Sequence, residues 1–398
     1  MVLIYFYKDV MKKSLLALTL GGLGIGITEF VMMGLLPDIA RDLDISIPQA
    51  GHLISAYALG VVIGAPLLVL IAGSYPPKKI LMVLMIMFTG FNALSAFAPG
   101  YTTMFIARLL AGLPHGAFFG VGSVVASKLS DRGKEAQAVS LMFMGLTIAN
   151  IVGVPLGTYI GHNFSWRYTF IIIVIVGLVT LLSLKTWMPA LPATKNRDLS
   201  KELNFFKLPE SWLIIVMIAI GTGGLFSWYS YIAPLLTEVA GFQASSITYI
   251  LVIAGAGMMV GNFIGGKLAD RFSPAKATVS LLVAMSVSLL IVHFVSGNQI
   301  MALVMTFVTG AIAFAAASPI QMLMINTAKG SEMLAASVSQ ASFNIGNALG
   351  AFLGGLPLLA GYDYTSPVAV GSLMALTGAA FAWMLIARSN RIAKLSYA

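Results

Sequence analysis

The sequence predicts an all-α integral membrane protein of twelve transmembrane helices arranged as two pseudo-symmetric six-helix bundles. Three observations predict it: a large excess of apolar residues, twelve apolar stretches long enough to cross a bilayer, and a self-similarity at one constant offset. Of the 398 residues, 59% are apolar and 9% charged, against roughly 25% charged in soluble domains. No soluble fold covers that much apolar surface. In hydrocarbon the backbone must satisfy its own hydrogen bonds, so a helical span needs about 20 predominantly apolar residues.

The stretches fall at 14–37, 49–72, 78–98, 101–127, 136–161 and 166–187 in the first half. In the second half they fall at 211–238, 244–269, 274–296, 298–327, 333–360 and 364–387. The chain therefore divides into an N-terminal segment 1–13, a bundle 14–187, a linker 188–210, a bundle 211–388 and a tail 389–398. The two lysines before the apolar run that starts near Ser14 resemble a secretory signal. Eleven further spans follow without a clear small-residue cleavage pattern, so the run reads as an uncleaved first span. Residues before Met11 lie outside the membrane pattern, as an extension from an upstream start codon would. The linker holds Pro189, Pro192, Pro209 and the charged run Lys195 to Glu202, part of which reads as a short surface helix.

The formal charge of +9 would suggest nucleic-acid binding in a soluble protein. Here its distribution reports topology instead. With both termini cytoplasmic, twenty Lys and Arg residues fall inside and only Arg41 and Arg167 outside, a strong positive-inside bias that also supports an even number of spans. The absence of cysteine rules out disulfides.

Sliding the chain against itself by 197 residues aligns the halves almost without gaps, as duplicated transporters do. Gly24, Gly26 and Pro37 fall on Gly221, Gly223 and Pro234; Gly60, Gly64, Pro77 and Lys79 fall on Gly257, Gly261, Pro274 and Lys276. Ser140, Asn150, Gly153, Leu156 and Gly157 fall on Ser337, Asn347, Gly350, Leu353 and Gly354.

Local motifs add a resemblance. The loop after span 8 reads Gly266, Lys267, Leu268, Ala269, Asp270, Arg271, similar to the GxLaDR signature of the major facilitator superfamily. The equivalent loop after span 2 keeps the basic pair Lys78 and Lys79 but has Ser74 where the signature has Asp, so the charge contact is weakened there. Arg108 followed by Gly112 in span 4 is similar to the RxxxG motif of proton-coupled members. Gly153, Pro155, Gly157 and Gly161 in span 5 are similar to the antiporter motif of drug:proton efflux families. The strings HGAFFGVG at 115–122, YALGVVIGAP at 57–66 and SWRYTF at 165–170 resemble the AraJ-like arabinose/sugar efflux permeases. The resemblance implies a drug:proton antiporter type of transporter, with Asp270 and Arg271 in cytoplasmic charge contacts and the span 5 motif as a hinge or a seal against proton leak.

Charge inside the membrane is costly, so its exceptions are functional candidates. Glu29 lies eight residues before Pro37 and Arg108 seven after Tyr101, which puts both about 10–12 Å below the outer surface. Tyr57 reaches a similar depth on span 2. A carboxylate, a guanidinium and a phenol at one depth on three helices suggest a hydrogen-bonded cluster. Burial raises a carboxyl pKa and a neighbouring guanidinium lowers it, so Glu29 reads either as a proton carrier or as a permanent partner of Arg108 that fixes helix packing. At the offset, Glu29 falls on Phe226 and Arg108 on Met305. Intramembrane charge thus belongs to the first half alone, which suggests coupling there and more of the substrate surface in the second half.

Arg108, Gly112, His115, Phe119 and Gly122 share one face of span 4 at helical spacing. His115 reads as a proton relay with Glu29, Arg108 and Tyr57, or as a neutral histidine satisfied by a neighbouring helix. Phe119, Phe226, Trp228, Tyr229 and Phe343 are candidate aromatic contacts to substrate. The aromatics of span 7 equally suit an interfacial belt. Gln321, Asn344 and Asn347 offer polar contacts to a solute, or hold helices together as Asn150, Asn262, Asn326 and Gln340 do. The Gly153, Gly157 and Gly161 series reads as a close-packing face in which Pro155 removes a backbone bond.

No metal-type cluster of His and carboxylates and no nucleotide-binding Gly and Lys motif is present, and only four His occur. The sequence therefore points away from an enzyme, from ATP-driven pumping and from any cofactor, and leaves the proton gradient as the energy source. The expected protein is a monomeric multi-pass transporter of the cytoplasmic (inner) membrane whose partners are the bilayer and a small-molecule substrate. Proton-coupled efflux of sugars or small amphipathic compounds by alternating access is the first reading; an uncoupled facilitator or importer of a small polar solute is the second.

Overall fold

The computed structural model describes residues 2–45, 47–72, 74–193, 203–243 and 246–396, and among them every regular element is a helix. Span 1 is Val2–Asp42, span 2 Ile47–Ala72, span 3 Pro77–Ala96 and span 4 Tyr101–Lys128. Span 5 is Glu135–Ile148 continued by Val154–Ile160, and span 6 is Trp166–Trp187. Span 7 is built from Pro209–Gly221, Gly223–Tyr229 and Ile232–Pro234; span 8 is Ile247–Phe272 and span 9 Pro274–Val295. Span 10 is Gln299–Ala315 and Ala317–Thr327, span 11 Glu332–Leu359 and span 12 Ser366–Ser396.

Among the described residues, ten stretches are long and apolar enough to cross a membrane, and one of them, Glu135–Trp187, runs for 53 residues. At 1.5 Å per residue that stretch is about 80 Å long, more than twice a hydrocarbon core. It holds two spans, and the chain reverses at Ser165, which is extended (φ −159°, ψ 136°) and caps span 6 by accepting from the Arg167 N–H. Span 11 is not among the ten. Its first half carries Ser337, Ser339, Gln340, Ser342 and Asn344, which dilute its apolar character. Counting span 11 and the double stretch gives the twelve helices read from the sequence.

Three features differ from the sequence reading. Span 1 is already helical at Val2, so residues 2–13 are not a separate segment; no Pro or Gly interrupts them. Span 12 likewise continues through most of 389–398. The run from Lys195 to Glu202 lies outside the described residues, and the linker shows one short element, a 3-10 turn at Asn204–Lys207.

Prolines account for the breaks in spans 5 and 10. In span 5 a π-helical turn, Ala149–Gly153, precedes Pro155, and the Val154 N–H reaches back five residues to the Ala149 carbonyl. Pro155 has no N–H to give, so the wider turn absorbs the missing bond. In span 10, Pro319 cannot donate to the Ala315 carbonyl, and the helix is interrupted at Ala316.

The contacts form two compact units, Met1–Glu202 with Glu332–Ala341, and Leu203–Ser331 with Ser342–Ala398. Within the first unit span 5 lies against span 1 through small residues. A Cβ at Gly153 would come 2.4 Å from Ile27 Cγ1, one at Gly157 2.9 Å from Val31 Cγ2, and one at Gly161 2.2 Å from Leu35 Cδ2. Glycines four apart thus receive aliphatic side chains four apart. The second unit repeats the seam between spans 7 and 11, where Gly350 meets the Gly223 carbonyl and Gly354 meets Ser227.

Candidate functional site

The site is a chain of polar side chains inside the first unit. Span 4 approaches span 2 closely because Gly112 has no Cβ; one there would lie 2.1 Å from the Tyr57 carbonyl. That approach brings Arg108, which is fully buried, over the Tyr57 ring at 4.3 Å. The Tyr57 hydroxyl meets His115 Nδ1 at 3.0 Å, about two turns along span 4 from Arg108, past Gly112. Tyr57 is the donor if Nε2 carries the imidazole proton, and the acceptor if Nδ1 does. On its other side Arg108 Nη1 donates to Thr28 Oγ1 at 2.9 Å, and Thr28 donates to Asn92 Oδ1 at 2.6 Å. Asn92 Nδ2 in turn donates to the Phe88 carbonyl at 2.8 Å. Spans 1, 2, 3 and 4 are therefore linked through one guanidinium.

Arg108 and Tyr57 come together as the sequence suggests, but no hydrogen bond joins Arg108 to Glu29. Nη1 is engaged by Thr28, and Nε and Nη2 have no hydrogen-bond partner. Consecutive residues on a helix point about 100° apart, so with Thr28 facing span 4 the Glu29 side chain is turned to one side of Arg108. Glu29 is half-buried and remains within electrostatic range of Arg108 and Tyr57. In this conformation the pair is adjacent and unmade.

Phe119, expected to touch substrate, is fully buried and stacks on Phe143 at 5.1 Å with the rings 7° from parallel. Its other face has His115 at 5.3 Å, so Phe119 belongs to the core here. In the second unit Trp228, Gln321 and Asn344 are buried, whereas Phe226, Tyr229, Phe343 and Asn347 are half-buried. Trp228 packs 5.9 Å from Tyr229 and presents no open face to a solute.

The motif residues sit at helix ends and seams. Lys78 donates to the carbonyls of Lys185 (2.8 Å) and Met188 (2.5 Å), which places a cation on the unsatisfied C-terminus of span 6. Lys79 is exposed. Asp270 is half-buried at the end of span 8; Arg271 is exposed, its guanidinium 5.3 Å from the Phe272 ring. Ser273, which follows, has φ +81°, a costly conformation for a residue with a Cβ.

A second cluster, beyond the apolar stretches, ties the opposite ends of the spans together. Asp42 accepts from Arg167 Nη1 and from Trp166 Nε1 (3.0 Å), while Arg167 Nη2 donates to the Ala98 carbonyl at 3.1 Å. The Arg167 hydrogen bond above all holds the Asp42 carboxyl below the usual aspartate range. Asp38 lies 3.3 Å from His162 beside it.

Sequence reasoning missed Thr28, Asn92 and this second cluster. The duplication carried a signal for the first two. At the offset of 197, Thr28, Tyr57, Asn92, Arg108 and His115 fall on Leu225, Ala254, Leu289, Met305 and Ile312. Every member of the polar chain has an apolar counterpart in the other half, so a search for polar residues without a polar counterpart would have selected them.

Comparison with known proteins agrees with this architecture. The profile of the Major Facilitator Superfamily matches residues 18–337. The chain is 39% identical to the AraJ protein of Escherichia coli K12 over 370 residues, covering 92% of this chain and 94% of that one. It is 42% identical to the inner membrane transport protein YdhP of the same organism, covering 91% and 92%. It is also 29% identical to a chloramphenicol resistance protein of Streptomyces lividans, covering 85% and 88%. Among solved structures, the proton:xylose symporter XylE matches with a TM-score of 0.78 at 16% identity, over 95% of this chain and 96% of that one. The fucose:proton symporter FucP of E. coli matches with a TM-score of 0.74 at 17% identity, over 93% and 98%. At such identities these two speak for the fold alone. The chain belongs to the major facilitator superfamily of secondary transporters.

Proposed function

We propose that this transporter is a proton-coupled exporter of the inner membrane that moves sugars or small amphipathic compounds outward by alternating access, with both termini cytoplasmic. Glu29 is the proton carrier, and Arg108, held by Thr28 and Tyr57, is the cation that answers its charge. The observation that carries this reading is the unmade pair: Arg108 has two nitrogens without an acceptor, while the one carboxylate near it is half-buried and unbonded. A permanent structural ion pair would spend those donors on Glu29. A carboxylate that meets the guanidinium in one conformation and water in another takes up and releases a proton as its surroundings alternate. The inner-membrane location follows the relative YdhP, and the export direction follows the relative named for chloramphenicol resistance.

The test is efflux from proteoliposomes under an imposed pH gradient, with a thiogalactoside and chloramphenicol as the first probes. Wild type is expected to move at least one of them against its gradient, and Glu29→Gln to lose gradient-driven flux while retaining counterflow exchange. If the gradient moves none of a wider panel of sugars and amphipathic compounds, the antiport reading fails. Full gradient-driven flux in Glu29→Gln places coupling elsewhere.

A further inference from the structure

In the second unit the chain enters span 7 from the turn at Asn204–Lys207, and span 12 passes beside it in the opposite direction. Their adjoining ends enclose a groove of about 550 Å³ whose walls include Phe206, Lys207, Trp212, Val216, Phe381 and Arg388. The wall chemistry is graded along the helix axes. Lys207 lies just before the start of span 7, and Arg388 lies level with that start on span 12, which runs on to Ser396. Val216 lies seven residues into span 7 from Pro209, and Phe381 seven residues before Arg388, so about 10 Å separates a charged rim from an apolar floor. Trp212 is half exposed near the rim, its indole fixed by donating Nε1–H to the Phe206 carbonyl at 2.7 Å. Trp at such a level is the usual mark of a headgroup boundary.

The charge at the rim is unbalanced. Arg388 Nε donates to Glu210 Oε1 at 2.6 Å, which engages the one carboxylate among the described residues of the rim, and no described residue accepts from the two Arg388 Nη groups. Lys207 is exposed and makes no ion pair among the described residues. Among the described residues, two cations stand against one anion at the rim, a positive balance beside an apolar floor in a protein whose surroundings are lipid. We propose that this groove binds one anionic phospholipid, its phosphate between Lys207 and Arg388 and its glycerol and upper acyl chain along Trp212, Val216 and Phe381. Basic pockets between helix ends at the cytoplasmic leaflet recognise acidic headgroups in this manner. A zwitterionic lipid offers the same phosphate but brings an ammonium that the rim repels.

The experiment uses the full chain purified in detergent, with native mass spectrometry of lipid retained from equimolar phosphatidylglycerol and phosphatidylcholine of matched acyl chains. Wild type is expected to retain phosphatidylglycerol preferentially. Lys207→Gln, at an exposed position with no ion pair among the described residues, is expected to lower that preference about fivefold, the loss due to one basic residue near a membrane surface, with the helical circular dichroism unchanged. Trp212→Ala is expected to lower total lipid retained at the site while leaving the headgroup preference in place. Equal retention of the two lipids by wild type overturns the proposal, as does an unchanged preference in Lys207→Gln. Displacement of the lipid by soluble glycerol phosphate at comparable concentration would show a simple anion site and overturn it as well.

Discussion

A guanidinium without exposure, two of whose three nitrogens lack an acceptor, is costly to bury. What offsets that cost is mostly Tyr57 and Thr28. The Tyr57 ring supplies a cation–π contact, worth about 2 kcal/mol when desolvated, and its hydroxyl serves His115. These two roles are separable. Tyr57→Phe keeps the ring under Arg108 and is expected to leave proton-coupled flux within a few-fold of wild type; Tyr57→Ala removes the support and is expected to abolish it, as measured in proteoliposomes. A loss of the same size in both would assign the function to the hydroxyl. In the cluster at the ends of spans 1 and 6 beyond the apolar stretches, the lowered Asp42 pKa makes a pH prediction. A carboxyl depressed in the folded state contributes stability that is complete above its unfolded value, about 3.9, and is lost as pH falls through the folded value. Arg167→Gln is therefore expected to lower the unfolding temperature at neutral pH, with the difference from wild type narrowing as pH falls through the folded Asp42 value to what the Ala98 contact contributes. At this scale Glu29 and Arg108 were legible because intramembrane charge is rare. Thr28 was marked only by its apolar counterpart Leu225 in the other half, because one hydroxyl among many does not stand out by itself and its importance lies in which way span 1 is turned.

Helix seams explain why the glycines of the span 5 motif are there. Gly157 sits between Val31 and Thr169 and also receives the Thr169 hydroxyl on its carbonyl at 2.7 Å. Any side chain at this position must push span 1 away, and span 1 carries Thr28 and Glu29. Gly157→Val is expected to cost about 1–3 kcal/mol of stability or more, the range for overpacking, and to impair transport, both read by thermal unfolding in detergent and by flux. Gly90 on span 3 is the control: a Cβ there meets nothing within 4 Å, so Gly90→Ala is expected to be neutral or to stabilise by up to about 1 kcal/mol through helix propensity. The spans were readable from apolar length, least clearly span 11, whose serines, Gln340 and Asn344 dilute the pattern. The internal breaks were only partly readable: Pro155 announced one, but the π-turn that absorbs it depends on the packing against span 1. The helical continuation to Val2 was invisible to a reading based on hydropathy, because Lys8 and Asp9 end the apolar pattern without ending the helix.

The two halves of the molecule share glycine seams and differ in polar content, and this combination limits how the protein can lie in the membrane. A duplication of six spans keeps both halves in the same orientation, because an even number of crossings returns the chain to its starting side. The loops at Ser74 and Arg132 then share one side with the termini, and the loops at Gly100 and Gly297 share the other. The absence of cysteine makes this directly testable, since any cysteine introduced is the sole thiol. A Cβ added at Gly100 or Gly297 meets nothing within 4 Å, and neither backbone is left-handed, so both positions accept a cysteine without strain. Ser74 and Arg132 are exposed. In intact cells a membrane-impermeant maleimide is expected to label Gly100→Cys and Gly297→Cys, and to label Ser74→Cys and Arg132→Cys only after permeabilisation. Labelling of Gly100→Cys with protection of Gly297→Cys would mean that the halves are inverted relative to each other, and the offset of 197 would then not reflect a parallel repeat. The reverse pattern at all four positions would keep the repeat and overturn the positive-inside assignment, moving Lys207 and Arg388 to the outer leaflet.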